Sequence, residues 1–191
     1  MNQFVDPDWF WIQKIKEGDT SAFEEIFKRH KVNVINLAFR FTRSREVAED
    51  IAQDVFIKIY EGRVHYDPNS KFTTWLYRVT VNASIDFLRR KKFFPVSLSA
   101  QGSSENAMID TVRDERVQNA GDAICEKETQ DFVRREIDRL PEKFKSVILL
   151  YQFQEMSYRE IAQILVITEK AVERRLYQAK ELLRKKLGGL S

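Results

Sequence analysis

Apolar residues recur along this chain in steps of three and four, the period of one face of an α-helix. Phe23, Ile26, Phe27, His30, Val34, Leu37, Ala38 and Phe41 form a first stripe, with Thr20 or Ser21 placed to cap its start. Ser44 opens a second helix, whose stripe is Ala48, Ile51, Ala52, Val55, Phe56, Ile59 and Tyr60. The segment 62–71, GRVHYDPNSK, reads as a loop from its Gly, Pro, Asn and Ser. A third helix runs from about Thr73 to Lys92, with Leu76, Val79, Ala83 and Phe87 as its expected buried side. Periodicity then disappears over 94–125, where Ser, Gly, Asn and acids dominate. It returns from Glu126, with Phe132, Val133, Ile137 and Leu140 on one helix. Pro141 opens the next, where Phe144, Val147, Ile148 and Tyr151 share a face. Strand alternation never lasts more than a few residues. The pattern predicts an all-α chain of two small helical domains, 1–93 and 126–191, joined by a flexible linker at 94–125.

Charge sharpens that division. Residues 1–93 carry 16 Lys/Arg against 13 Asp/Glu, and residues 126–191 carry 14 against 11. The segment between them carries 2 against 5, so an acidic strip joins two mildly basic modules. Mild basicity by itself points only weakly to nucleic acid. No apolar run approaches the roughly 20 residues that span a bilayer. The start, MNQFVDPDWFWIQ, has acids and a proline where a signal peptide needs a basic start and a smooth apolar stretch. Cys125 is the only cysteine, so no internal disulfide can form. These features lead to the expectation of a cytoplasmic protein without membrane insertion.

Three segments carry candidate chemistry. Ser157-Tyr158-Arg159-Glu160 is a capping box ahead of a short helix whose buried side is read as Ile161, Ala162 and Leu165. Thr168 caps a longer helix with Val172, Leu176, Ala179 and Leu183 inward. Lys170, Arg174, Tyr177 and Gln178 lie on its far side, flanked by Glu173 and Arg175. Two short helices, a tight turn and a basic second face form the pattern of a DNA-reading helix-turn-helix. An ordinary helical hairpin with a solvated face is the alternative. The tight spot reads Leu165-Val166-Ile167, where many such turns use Gly.

On the third helix, Trp75, Arg78, Asn82, Asp86 and Arg89 share an arc about 80° wide at 100° per residue. An aromatic ring, an amide and guanidinium groups suit unpaired bases and their backbone. Equally, Trp75 could be core, and the basic end at 89–92 could simply complement the helix dipole. On the second helix, Asp50 and Asp54 are like charges four residues apart, a mildly unfavourable pairing. A cationic partner, a metal or a solvated face would each account for it. No zinc spacing, phosphate-binding Gly-rich loop or nucleophile elbow is present, and His30 falls on an apolar face. No catalytic residue, metal site or cofactor is expected.

The segments GDTSAFEEIFKRH, AEDIAQDVFIKIY, KFTTWLYRVTVNASIDFLRRKK, LPEKFKSVILLYQFQEMSYREIAQIL and TEKAVERRLYQAKELLRKKL occur in this order. Together they resemble a bacterial sigma factor of the extracytoplasmic-function group of the sigma-70 family. The resemblance covers about residues 9–188. It implies a transcription initiation factor that binds RNA polymerase core and assists promoter melting, with no enzymatic act of its own. Residues 1–93 would be the region 2-like domain and 126–191 the region 4-like domain. Glu49, Asp50, Gln53, Asp54 and Phe56 would face the clamp helices of the largest polymerase subunit, and the flap of the second-largest subunit would be a further contact. Tyr66, Lys71, Phe72, Trp75, Arg78, Asn82, Asp86 and Arg89 would recognise the −10 element, partly as melted single strand. A flipped base exposes its Watson–Crick edge to such groups. Tyr158, Arg159, Lys170, Glu173, Arg174, Arg175 and Gln178 would meet the −35 element as duplex, the first two on phosphates.

The resemblance further implies an anti-sigma factor as partner, and a linker threaded through the polymerase cleft as an acidic nucleic-acid mimic. Two positions depart from the family pattern: Glu173, where Lys is frequent, and Val166, near a frequent Gly. Glu173 favours a cytosine amino group and repels phosphate, so an unusual −35 sequence is expected. The competing expectations are a stand-alone helix-turn-helix regulator, a helical adaptor that binds only protein, and an enzyme using Asp50 and Asp54 on a metal.

Overall fold

The computed structural model describes residues 6–65, 70–93 and 131–187. The predicted linker 94–125 lies outside them, as does Tyr66. The N-terminal part holds four helices: α1 (Trp9–Lys16), α2 (Thr20–Thr42), α3 (Arg45–Tyr60) and α4 (Phe72–Phe93). Helix α1 has no counterpart among the predicted elements. Its Ile12 and Ile15 are buried against the first stripe. The cap of α2 is Asp19 rather than Thr20 or Ser21. Its carboxylate accepts from the Ser21 and Ala22 N–H groups, which suits the positive end of the helix. Arg43 then closes α2 in the left-handed region, with φ of 55°. Ser44 accepts from the Val47 N–H and starts α3 as predicted.

The inward side of α4 differs from the predicted one. Phe72, Leu76, Thr80, Val81 and Ser84 are buried, while Val79, Ala83 and Phe87 are only partly covered. Burying two hydroxyl residues costs little here, because each satisfies itself within the helix. Thr80 donates to the Leu76 carbonyl and Ser84 to the Thr80 carbonyl, both at 2.8 Å. The helix packs on α2 and α3 and also on a helix of the C-terminal part, so its covered arc is wider than one apolar stripe.

The C-terminal part comprises α5 (helical over 131–138), α6 (Glu142–Phe153), α7 (Tyr158–Leu165) and α8 (Glu169–Leu187). Ser157 and Glu160 complete the capping box, and Thr168 accepts from the Ala171 N–H at 3.2 Å. The inward residues of α7 are Ile161, Ala162 and Ile164, with Leu165 half-buried. Between α7 and α8, Val166 takes the left-handed conformation (φ 53°, ψ 52°) with its side chain exposed. A β-branched residue is uncommon there.

The two parts touch in this structure. Lys145 of α6, one of seven consecutive buried residues, donates to the Phe41 carbonyl at the end of α2 (3.2 Å) and pairs with Asp138 (2.8 Å). Asp138 also binds Arg43 at 2.9 Å. The Arg40 guanidinium lies 4.1 Å from the centre of the Phe153 ring. Helix α7 packs against α4, where Glu160 takes Lys71 at 2.6 Å and Glu142 of α6 takes Arg89 at 2.8 Å.

Candidate protein and nucleic-acid interfaces

Helix α3 separates its residues cleanly. Ala48, Ile51, Ala52, Val55, Phe56 and Ile59 are buried, while Glu49, Asp50, Gln53 and Asp54 are exposed. Glu49 is held by Arg45 at 2.8 Å. Asp50 and Asp54 have no ion-pair partner among the described residues, so the face offers two uncompensated carboxylates. Phe56 does not join them. Its ring is 3% exposed and packs edge-on against Phe27 at 4.9 Å, because it falls on the arc that faces α2. The apolar side chain on the outer face is instead Ile57, 45% exposed and spaced three and four residues from Asp54 and Gln53. The same helical arithmetic that selected the acids could have found it.

Helix α4 presents Asn82, Asp86 and Arg89 to solvent, with Arg78 half-buried on the same arc. The aromatic residues expected beside them turn inward. Phe72 is fully buried and Trp75 is 7% exposed, with their rings stacked at 5.7 Å. They form a floor under the arc rather than a surface on it. Tyr77 is buried as well, and desolvation raises its hydroxyl pKa above the ordinary value. Lys71, just ahead of the helix, is exposed but committed to Glu160. That bond comes first among the influences holding the Glu160 carboxyl below its usual pKa, followed by burial, which opposes it, and the Ser157 hydroxyl.

The helix-turn-helix face lies on α7 and α8. Val172, Leu176 and Ala179 are buried, which turns Lys170, Glu173, Arg174 and Gln178 outward, with Arg175 half-buried. Arg159 is exposed on the first helix, and Tyr158 is half-buried with its ring 5.7 Å from Tyr151. A groove runs along this face past Tyr158, Thr168, Lys170, Arg174, Tyr177 and Lys180. Tyr177, 68% exposed, and Lys180 were not among the residues predicted to meet DNA, although they follow Glu173 at steps of four and three. Among the described residues no three His, Cys, Asp or Glu converge on a metal position, and no helix is long and apolar enough to cross a membrane.

Residues 26–94 match the family profile described as Sigma-70 region 2, and residues 133–183 match that described as Sigma-70, region 4. The "ECF RNA polymerase sigma factor SigW" of Bacillus subtilis (strain 168) is 34% identical over 180 residues, covering 94% of this chain and 96% of that protein. Among solved structures, CnrH in complex with the cytosolic domain of CnrY superposes with a TM-score of 0.68 at 23% identity, over 97% of this chain and all of that one. The sigma factor RpoE of Bartonella quintana, solved with the anti-sigma factor NepR, gives 0.60 at 17% identity over 87% and 96%.

Proposed function

The chain belongs to the extracytoplasmic-function group of the sigma-70 family, and we propose that its three exposed faces divide the work of promoter-specific initiation among them. It is an RNA polymerase-binding transcription initiation factor. The α3 face, with Asp50, Gln53, Asp54 and Ile57, meets a basic surface on polymerase core. That cation would relieve the repulsion between the two carboxylates. Clamp helices of the largest subunit are the assigned partner, with the flap of the second-largest subunit meeting the C-terminal module.

Lys71, Arg78, Asn82, Asp86 and Arg89 read the −10 element. Phe72 and Trp75 support them from below, and Phe56 supports α3 in the same way. An amide and a carboxylate on one exposed arc can hydrogen-bond the edge of an unpaired base, while the guanidinium groups hold its backbone. The helix-turn-helix face, with Lys170, Glu173, Arg174, Arg175 and Gln178 and with Tyr177 and Lys180 added, enters the major groove at the −35 element. Tyr158 and Arg159 sit at its edge, where phosphate contacts position without specifying. The protein works in the cytoplasm, performs no catalytic step and has an anti-sigma factor among its partners.

The observation that carries this reading is the coexistence on one chain of an uncompensated acidic face, a polar arc over an aromatic floor and a basic helix-turn-helix. A stand-alone regulator needs only the last. The test is transcription in vitro with sigma-free core polymerase and fragmented genomic DNA. Discrete transcripts that require this protein are expected. Specific duplex binding by the free protein without co-elution with core would overturn the assignment.

A further inference from the structure

Residues 6–8 precede both family matches, yet two of their carboxylates are buried. Asp6 is 4% and Asp8 5% exposed. Asp6 accepts the Asp8 N–H at 2.9 Å through one oxygen and the Phe72 N–H through the other. Phe72 is the first residue of α4, 66 residues away in sequence. Asp8 in turn binds the His30 ring at 2.8 Å and Arg29 at 3.4 Å, so the strap is anchored to α2. His30 closes the unit by meeting the Phe72 ring edge-on at 5.6 Å.

The first N–H groups of a helix need an acceptor, ordinarily the side chain of the residue just before it. For α4 that position is Lys71, whose ammonium can only donate. The acceptor therefore has to come from elsewhere. Asp6 supplies it, and a negative charge at this end also suits the helix dipole. Delegating the cap to a distant strap leaves position 71 free to carry a cation at the mouth of the −10 arc.

We propose that Asp6 is a positioning residue for promoter opening: it caps the DNA-reading helix from outside, and the Asp8–His30 pair holds it in register. The proposal rests on the assignment of α4 to the −10 element. Fixing the first turn of α4 fixes Lys71 relative to Arg78 and Asn82, and a misplacement of about 1 Å is enough to slow a step that needs several groups at once.

The test uses the full chain, free for amide exchange and bound to core polymerase for kinetics on a promoter recovered by the transcription experiment. Asp6→Ala is expected to speed exchange of the Phe72 amide, to leave core affinity unchanged and to slow opening about tenfold. Asp6→Asn keeps one acceptor and should show a smaller change in the same direction, which covers the case in which Asp6→Ala does not fold. Adding Lys71→Ser to Asp6→Ala should protect the Thr73 or Thr74 amide, which a cap at position 71 reaches, while the Phe72 amide stays in fast exchange; renewed Phe72 protection would count against Asp6 as its acceptor. If Asn82→Ala slows opening and Asp6→Ala does not, the positioning role is wrong while the −10 assignment stands. If neither slows it, the −10 assignment fails and takes the proposal with it. An equal loss of core affinity and opening in Asp6→Ala would reduce Asp6 to a folding residue.

Discussion

Replacing Lys145 with Met tests whether the contact between the two helical groups rests on a buried charge. The Lys145 side chain is 10% exposed and makes two bonds across or beside that contact, to the Phe41 carbonyl at 3.2 Å and to Asp138 at 2.8 Å. Methionine keeps the length and packing of the stem while removing the ammonium. A hydrogen bond to a charged group contributes about 1.5–3 kcal/mol, but two corrections apply. Asp138 keeps Arg43 at 2.9 Å, so it is not left alone, and the desolvation cost of a buried ammonium disappears with the substitution. The Phe41 carbonyl is the group left without its donor. The net expectation is a loss of about 2 kcal/mol, or roughly 30-fold in the ratio of packed to separated states. Small-angle scattering should show a larger radius of gyration for Lys145→Met, and urea unfolding should begin earlier. Lys143→Met is the control, since Lys143 is exposed on the same helix and lies over the Phe144 ring. A Lys145→Met protein matching that control within about 0.5 kcal/mol, with an unchanged radius, would refute the reasoning.

Three further outcomes follow from the geometry. Val166→Gly should stabilise the protein by up to about 1 kcal/mol, because relief of a left-handed β-branched residue exceeds the entropy cost of glycine; a lower melting temperature would contradict this. The Lys71–Glu160 bond should respond to acid. The folded Glu160 carboxyl titrates below its ordinary value of 4.5, so its contribution is present above pH 4.5 and is lost as pH falls through the folded value. Scattering at pH 6 and pH 3.5 checks this, with Glu160→Gln expected to weaken that acid response. Arg174→Ala should reduce transcription from cognate promoters about tenfold or more, consistent with 1–3 kcal/mol for a base-edge contact, while core binding measured by co-elution stays unchanged.

Local sequence determined the helices other than α1, the caps at Ser44, Ser157 and Thr168, and the exposure of Asp50 and Asp54. These depend on hydrogen bonds and apolar spacing within a few residues, so a short window contains them. The helix-turn-helix was legible for the same reason: its two caps and its inward stripe are local. Tertiary structure decided which aromatic residues reach the surface. Phe56, Phe72 and Trp75 each sit on an amphipathic helix beside polar neighbours, and their direction depends on which helices cover that arc. Thr80 and Ser84 became core because α4 is covered from more than one side, and their hydroxyls find acceptors within the helix. The burial of Lys145 and the cap that Asp6 gives to Phe72 join residues 104 and 66 positions apart. Such pairings leave no periodic trace in the chain. They exist because an ammonium and a carboxylate removed from water must find partners wherever the packed helices provide them.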